Sequence, residues 1–124
     1  MKITEIAFTG YPVTDMGRAR MFYEGVLGLV VASTWGDKAS PQWVEYNIGS
    51  GCLALITGAG DAWPPANAGP AVALEVEDFD GAIEELKKAG VKFFWDAKES
   101  PACHMAVVLD PDENRLVIHR RKHS

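Results

Sequence analysis

The sequence predicts an α+β fold, in which two βαβββ modules form a curved mixed sheet around a cleft. Alternating apolar runs, which are typical of strands, surround one amphipathic helical segment in each half of the chain. The phrase PVTDMGRA…VLGL in the first half has a counterpart, EVEDFDGA…KAGV, in the second. One helix covers only one face of each sheet, which leaves the other face for a cleft. We therefore expect one domain, with module one at about residues 1–57, a linker at 58–70 and module two at about 71–124.

Module one begins with a predicted strand over residues 3–9, ITEIAFT, whose alternate side chains point to opposite faces. Thr14 or Asp15 can cap the helix MGRARMFYEGVL, because their side-chain oxygens accept hydrogen bonds from the first-turn N–H groups. Three strand-like runs follow, LVVASTW, QWVEYNI and CLALIT. The Gly-, Pro- and Ala-rich segment TGAGDAWPPANAGP then connects the modules.

Module two repeats this order. A strand, AVALEVE, leads to the helix FDGAIEELKKAG, for which Asp78 is the predicted cap. The strands VKFFW, HMAVVL and RLVIHRR complete the module. Between the last two strands, DPDEN predicts a tight turn, because Pro111 presets φ and Asp110 can bond back to the backbone.

Composition excludes several classes of partner. The formal net charge of −5 argues against nucleic-acid binding, which needs clustered Lys and Arg. No apolar run approaches the roughly 18 residues of a membrane span, and MKITEIAF is too short and too polar for a signal peptide. Cys52 and Cys103 lack the spacing of a zinc site, and we interpret them as reduced thiols. We expect a cytoplasmic protein with neither nucleic-acid nor membrane partners.

Two phrases carry a resemblance to a known family. PVTDMGRARMFYEGVLGL near the start and DPDENRLVIH near the end, together with the doubled βαβββ order, resemble the vicinal oxygen chelate superfamily. That group includes glyoxalase I, bleomycin-resistance proteins, fosfomycin-resistance proteins and extradiol dioxygenases. The resemblance covers almost the whole chain. It implies a cleft for a small organic molecule in a homodimer, whose partner chain often completes the cleft. It also implies a glycine where this chain has Glu113, which would then adopt a left-handed conformation.

The resemblance further implies where a metal would bind. Ligands in metal-dependent members come from the first and last strand of each module, and the metal acts as a Lewis acid. The first position falls on Glu5 if a bulge of about three residues interrupts the strand near residues 9–11, and on Phe8 otherwise. The other three positions fall on Ala54, Ala71 and Val117, which have no donor atom. We therefore expect a small-molecule-binding protein without the usual metal and without a cofactor.

An alternative uses a different metal site. Glu5, His104 and His119 would give two histidines and one carboxylate, a composition suited to iron and other divalent metals. The protein would then be a metal-dependent lyase, isomerase or dioxygenase with Zn, Ni, Mn or Fe. A third interpretation is a structural or regulatory module whose cleft is closed by packing.

Aromatic residues are the best candidates for ligand contacts. Broad, amphipathic rings suit a cleft that holds a flat or cationic molecule. Glu75 shares the strand parity of Ala71 and is a candidate to hold a cation. The predicted ligand-binding residues are Tyr11, Trp35, Trp43, Tyr46, Glu75 and Trp95.

Overall fold

The computed structural model describes residues 2, 4–58, 60, 63–65 and 70–122. The chain divides into two compact units, Met1–Pro65 and Ala66–Ser124. The boundary falls in the predicted linker, most of which lies outside the described residues, as does Ile3 of the predicted first strand. Neither helical segment in the described part of the chain is long and apolar enough to cross a membrane.

The first unit contains one four-stranded sheet and one helical segment. Its strands are β1 (Thr9–Pro12), β2 (Val31–Gly36), β3 (Pro41–Ile48) and β4 (Gly51–Ile56), in the spatial order β1-β4-β3-β2. β1 runs parallel to β4, and the other neighbours are antiparallel. The helical segment begins as the α-helix α1 (Met16–Arg20) and continues as π-helical turns over Met21–Val26.

The second unit repeats this arrangement. It contains β5 (Val72–Glu75), the helix α2 (Phe79–Lys88), β6 (Phe93–Glu99), β7 (Cys103–Leu109) and β8 (Arg115–Arg121). The spatial order is β5-β8-β7-β6, with β5 parallel to β8. Two modules of βαβββ order are thus confirmed.

The predicted position of the first strand is wrong. β1 occupies Thr9–Pro12 rather than residues 3–9, and the described residues before Thr9 are not in a strand. The predicted bulge is also absent, because the pairing with β4 runs without a shift from Thr9 opposite Leu53 to Pro12 opposite Ile56. Pro12 is tolerated because β1 lies at the edge of its sheet and Pro12 ends it.

The parallel strand pair of each unit has the same register. Thr9 pairs with Leu53, and Val72 pairs with Leu116, so both members of the second pair lie 63 positions further along the chain. The helix caps keep the same spacing. Asp15 accepts a hydrogen bond from the backbone N–H of Arg18, and Asp78 accepts one from the backbone N–H of Gly81, each with a length of 3.0 Å. Asp15 rather than Thr14 therefore caps the first helix, and Asp78 is confirmed as the cap of the second.

Each sheet has one face packed against its own helix. In the first unit, the buried ring of Tyr23 lies 6.2 Å from Tyr46 and 6.5 Å from Tyr11 between centroids. In the second unit, Phe79 at the start of α2 lies 5.4 Å from His104. Strand residues two apart share a face, and directly paired residues point the same way. The helix-facing residues therefore include Leu53 and Leu55 in one unit and Ala106, Val108, Leu116 and Ile118 in the other.

The turn before β8 is closed by the Asp110 side chain. Its Oδ1 accepts backbone N–H groups of Asp112 and Asn114 over 2.9 and 2.8 Å, and its Oδ2 accepts the Asn114 amide over 2.9 Å. Both Asp110 and Asn114 are buried. Glu113 has a φ of 68°, and it is the one non-glycine residue of the described chain with a positive φ. The predicted left-handed conformation of Glu113 is confirmed.

Candidate ligand-binding surface

The face of the first sheet turned away from the helix concentrates aromatic side chains, and we call it the distal face of the first sheet. Trp35 on β2 is paired with Trp43 on β3, which is paired with Ile56 on β4. The adjacent row joins Ser33, Glu45, Ala54 and Gly10. The distal face of the first sheet thus includes Gly10, Ser33, Trp35, Trp43, Glu45, Ala54 and Ile56.

A groove of about 270 Å³ lies at the end of this face. It is lined by Trp35, Gly36, Gln42, Trp43, Ile56 and Thr57. None of these six residues carries a charge, and Trp35 is 78% exposed. A large exposed indole beside a half-buried one favours contact with another flat molecule, because it leaves apolar ring surface in water.

Glu45 is the charged group beside the two tryptophans. Its Oε2 accepts a hydrogen bond from the indole Nε1 of Trp43 over 2.8 Å, and its Oε1 accepts one from the Ser33 hydroxyl over 3.1 Å. These two neutral donors fix the orientation of the carboxylate. Burial raises the pKa of the nearby Cys52 thiol, and the negative charge of Glu45 raises that pKa further. The charge of Glu45 therefore acts along the distal face.

Two more aromatic rings adjoin this face. Phe8 meets Trp43 edge to face, with 5.1 Å between ring centroids. Trp63 lies over Gly10, so closely that a Cβ at Gly10 would stand 2.6 Å from its ring carbon Cη2. Gly10 is therefore small because an indole occupies the space a side chain would need.

The structure places Tyr11 and Tyr46, both predicted ligand contacts, on the helix-facing side of the sheet. Both are buried, and the Tyr46 hydroxyl donates to Glu24 over 2.9 Å. Burial raises the pKa of Tyr46, and the hydrogen bond to Glu24 raises it further. Both tyrosines therefore lie on the opposite face of the sheet from Trp35 and Trp43.

Glu24 joins Tyr46 to the helix. Arg20 donates through Nε to the same carboxylate over 2.6 Å. Burial by itself raises the pKa of Glu24, but the hydrogen bonds from Arg20 and Tyr46 outweigh it, and the pKa falls below its ordinary value. The network holds the π-helical turns against the sheet.

The other two predicted contacts lie on the corresponding distal face of the second sheet. Trp95 is paired with Val107, and the Lys98 ammonium stands over its ring, 4.3 Å from the centroid. Glu75 accepts hydrogen bonds from the Arg121 backbone N–H over 2.7 Å and from His119 Nδ1 over 2.6 Å. The Arg121 N–H first, and then His119, lower the pKa of Glu75. Glu75 is therefore already occupied by donors from its own sheet.

The structure does not assemble the alternative metal site. His119 is paired with Met105, while His104 is the next residue along β7, so the two histidines project from opposite faces of one sheet. His104 lies on the side of Phe79. Glu5 lies outside β1 and is exposed. Within the described ranges, no group of three or more His, Cys, Asp or Glu side chains could hold a metal ion.

The corrected register also revises the family's first ligand position. Phe8 precedes the cap Asp15 by the same seven positions by which Ala71 precedes Asp78. Without a bulge, the position falls on Phe8 rather than Glu5. The set becomes Phe8, Ala54, Ala71 and Val117, and none of these side chains offers oxygen, nitrogen or sulfur to a metal. The residues at these positions do not fit the family's metal.

Sequence reasoning did not include Glu45 and Phe8 among the ligand contacts. The signal for Glu45 was available, since it lies two residues from Trp43 and so shares its face. Phe8 also had a signal, since it precedes the cap Asp15 by the same seven positions by which Ala71 precedes Asp78. Its contact with Trp43 comes from chain that precedes β1.

The chain is similar in sequence and structure to a known group of proteins. A sequence profile of the Glyoxalase/Bleomycin resistance protein/Dioxygenase superfamily matches residues 5–118. No curated protein sequence matches the chain.

Three solved structures illustrate the likeness. TnmS3 of Streptomyces sp. CB03234, described as an antibiotic binding protein, has a TM-score of 0.81 and 22% identity, over 98% of this chain and 99% of that one. TioX of Micromonospora sp. ML1 has a TM-score of 0.76 and 16% identity, over 96% of this chain and 100% of that one. A superfamily member from Sphaerobacter thermophilus DSM 20745 has a TM-score of 0.76 and 22% identity, over 95% of this chain and 98% of that one. These identities bear on the fold alone. Because the profile spans nearly all of its length, the chain belongs to the glyoxalase/bleomycin resistance protein/dioxygenase superfamily.

Proposed function

We propose that this protein binds a flat organic molecule on the distal face of the first sheet, without a metal. The observation that carries the proposal is the pair of register partners Trp35 and Trp43 beside an uncharged groove. The two indoles have unequal exposure: Trp35 is 78% exposed and Trp43 is half-buried. The half-buried ring of Trp43 gives a platform, and the exposed ring of Trp35 gives apolar surface that a ligand would remove from water.

The groove is small, and its lining has the chemistry of a small-molecule site. Its volume of about 270 Å³ is close to the lower end of known ligand pockets, roughly 300 Å³. Aromatic and aliphatic surface dominates it, while Gln42 and Thr57 supply the polar groups that fix orientation. A neighbour described as an antibiotic binding protein supports an organic ligand of this kind.

The metal-free part of the proposal rests on the donor set. Phe8, Ala54, Ala71 and Val117 stand where metal-dependent relatives would place ligands. A structural zinc site takes four protein ligands and a catalytic site three, whereas these four side chains supply none.

Cellular location and assembly are part of the same proposal. Cys52 and Cys103 are both free thiols, as expected of a protein in a reducing compartment such as the cytoplasm. A homodimer is what the family resemblance implied, and sedimentation of the purified chain would test it.

The test measures binding of a neutral planar probe, 2-naphthylmethanol. NMR spectra of the indole N–H groups of the four tryptophans report the binding. We expect the probe to shift the resonances of Trp35 and Trp43. Replacing Trp35 by Ala should weaken binding about three- to tenfold, because an aromatic pair is worth roughly 0.5–1.5 kcal/mol beyond burial. Met21→Ala, which removes an exposed apolar side chain from the helix, is the matched control and should leave binding unchanged.

Three results would contradict the proposal. If the probe shifts neither indole, or binds Trp35→Ala as well as the parent protein, the surface is not a binding site. If the purified protein holds a stoichiometric amount of tightly bound Zn, Ni, Mn or Fe, the metal-free part is wrong.

A further inference from the structure

We infer that the site prefers a flat molecule carrying a positively charged nitrogen, and that Glu45 is the residue that selects it. This inference rests on the proposed function, because it concerns the ligand class of the same surface. Three independent observations support it: the placement of Glu45, the donors it already holds, and the absence of charge from the groove lining.

The placement comes from the register of the sheet. Glu45 lies two residues from Trp43 on β3, so both side chains project from the distal face. Its register partner Ser33 lies two residues from Trp35 on β2. Glu45 therefore occupies the row next to the paired tryptophans, where a ring stacked on either indole would bring its substituent near the carboxylate.

The donors around Glu45 orient it without neutralising it. Trp43 Nε1 and the Ser33 hydroxyl each occupy one oxygen, at 2.8 and 3.1 Å. Both donors are neutral. A carboxylate accepts about four hydrogen bonds, so each oxygen retains capacity for another donor. Within the described chain, no Lys or Arg lies within ion-pair distance of Glu45.

The lining of the groove adds selectivity by charge. The six residues that line the groove are uncharged, and the carboxylate of Glu45 is hydrogen-bonded to one of the paired tryptophans. Burial raises the pKa of Cys52, and Glu45 raises it further, which is the effect expected where a negative potential extends along the face. A negative potential and two indole faces both attract a cation, since the ring face is also negative.

The test compares three probes with one ring system at pH 7 and low salt: 2-naphthylmethylammonium, 2-naphthylmethanol and 2-naphthylacetate. We expect the ammonium to bind tightest and the carboxylate weakest. Glu45→Gln should reduce the ratio of ammonium to neutral affinity about two- to fivefold, given the usual strength of partly exposed charge pairs. The affinity for the neutral probe should stay unchanged, because Gln can still accept from Trp43.

Matched variants separate local charge from other effects. Glu84→Gln removes one negative charge from the exposed side of α2 and should leave the ratio unchanged. Ser33→Ala removes one donor but keeps the charge, and should preserve the preference for the ammonium. Raising the salt concentration should lower the ratio in the parent protein but not in Glu45→Gln, because screening acts on charge pairs.

The outcomes distinguish the inference from the proposed function. If the parent protein binds the ammonium and neutral probes equally, or if Glu45→Gln keeps the parent ratio, the inference is overturned while binding on the tryptophans stands. If no probe binds to the parent protein, the proposed function fails and the inference fails with it.

Discussion

Glu75 accepts a hydrogen bond from Nδ1 of His119 over 2.6 Å, and the two residues are direct register partners on β5 and β8. The other oxygen of Glu75 accepts the backbone N–H of Arg121 over 2.7 Å. His119 was the residue that favoured an altered metal site. In the folded unit its Nδ1 already binds a carboxylate from the neighbouring strand.

This pair predicts a change in the acidity of Glu75. His119→Ala should raise the pKa of Glu75, but only partly, because the Arg121 N–H lowers that pKa more than His119 does. A pH titration of the Glu75 side-chain carboxyl by NMR measures the effect. Arg120→Ala is the control, since Arg120 is paired with His104 on the opposite face. An unaltered Glu75 titration in His119→Ala would show that the pair does not form in solution.

The left-handed Glu113 predicts a stabilising substitution. Its φ of 68° suits glycine, and for other residues the conformation costs about 1 kcal/mol. Glu113→Gly should therefore raise the midpoint of denaturant unfolding. Glu113→Ala keeps a Cβ and should not, which separates relief of backbone strain from loss of the charge. A lower midpoint in Glu113→Gly would contradict the prediction.

The network of Arg20, Glu24 and Tyr46 predicts a pH dependence. The pKa of Glu24 lies below its ordinary value of 4.5, so its contribution to the free energy of unfolding is present above that pH. It is lost as the pH falls through the pKa of the folded state. Glu24→Gln should therefore lower stability by about 1 kcal/mol at pH 7. The difference from the parent protein should shrink below pH 4.5.

Urea unfolding of both proteins at several pH values measures that difference. Glu84→Gln, an exposed carboxylate on α2, should show no comparable pH-dependent difference. A gap between parent and Glu24→Gln that stays constant on acidification would mean that Glu24 titrates normally in the folded protein.

Gly10 predicts a change at Trp63. A Cβ at Gly10 would meet the far end of the indole at 2.6 and 2.9 Å, so Gly10→Ala should displace the ring. Trp63 is 37% exposed, and we expect its quenching by acrylamide to increase. Gly25→Ala is the control, because a Cβ there meets nothing within 4 Å. If Gly10→Ala and Gly25→Ala give the same quenching, Trp63 does not cover Gly10 in solution.

The order of elements could be predicted because local signals agreed with one another. Asp15 and Asp78 each begin a helix as their side-chain chemistry requires. The position of β1 could not be predicted from alternation, since ITEIAFT alternates yet its described residues before Thr9 are not in a strand. What places the strand at Thr9–Pro12 is pairing with β4, a contact between distant parts of the chain. The spacing of the two caps was the available guide, because it makes Thr9 in the first unit equivalent to Val72 in the second.

The candidate surface could be predicted in part, because alternation along a regular strand fixes which residues share a face. Trp43 and Tyr46 are three residues apart on one regular strand, so they had to point to opposite faces. The structure turns Trp43 to the distal face and Tyr46 to the helix. In β6, regular alternation does not give the face of each residue, for a different reason. The register shifts between Phe93 and Trp95, and this irregularity has no sequence signature.

The constant register of the repeat has one more consequence. Pro12 and Ile56 in the first unit occupy the same two scaffold positions as Glu75 and His119 in the second. The first unit fills them with an apolar pair, and the second fills them with a hydrogen-bonded pair. Since the two sheets have equivalent strand orders, the fold imposes no particular chemistry there. The shared register therefore lets each unit carry its own side-chain chemistry at equivalent positions.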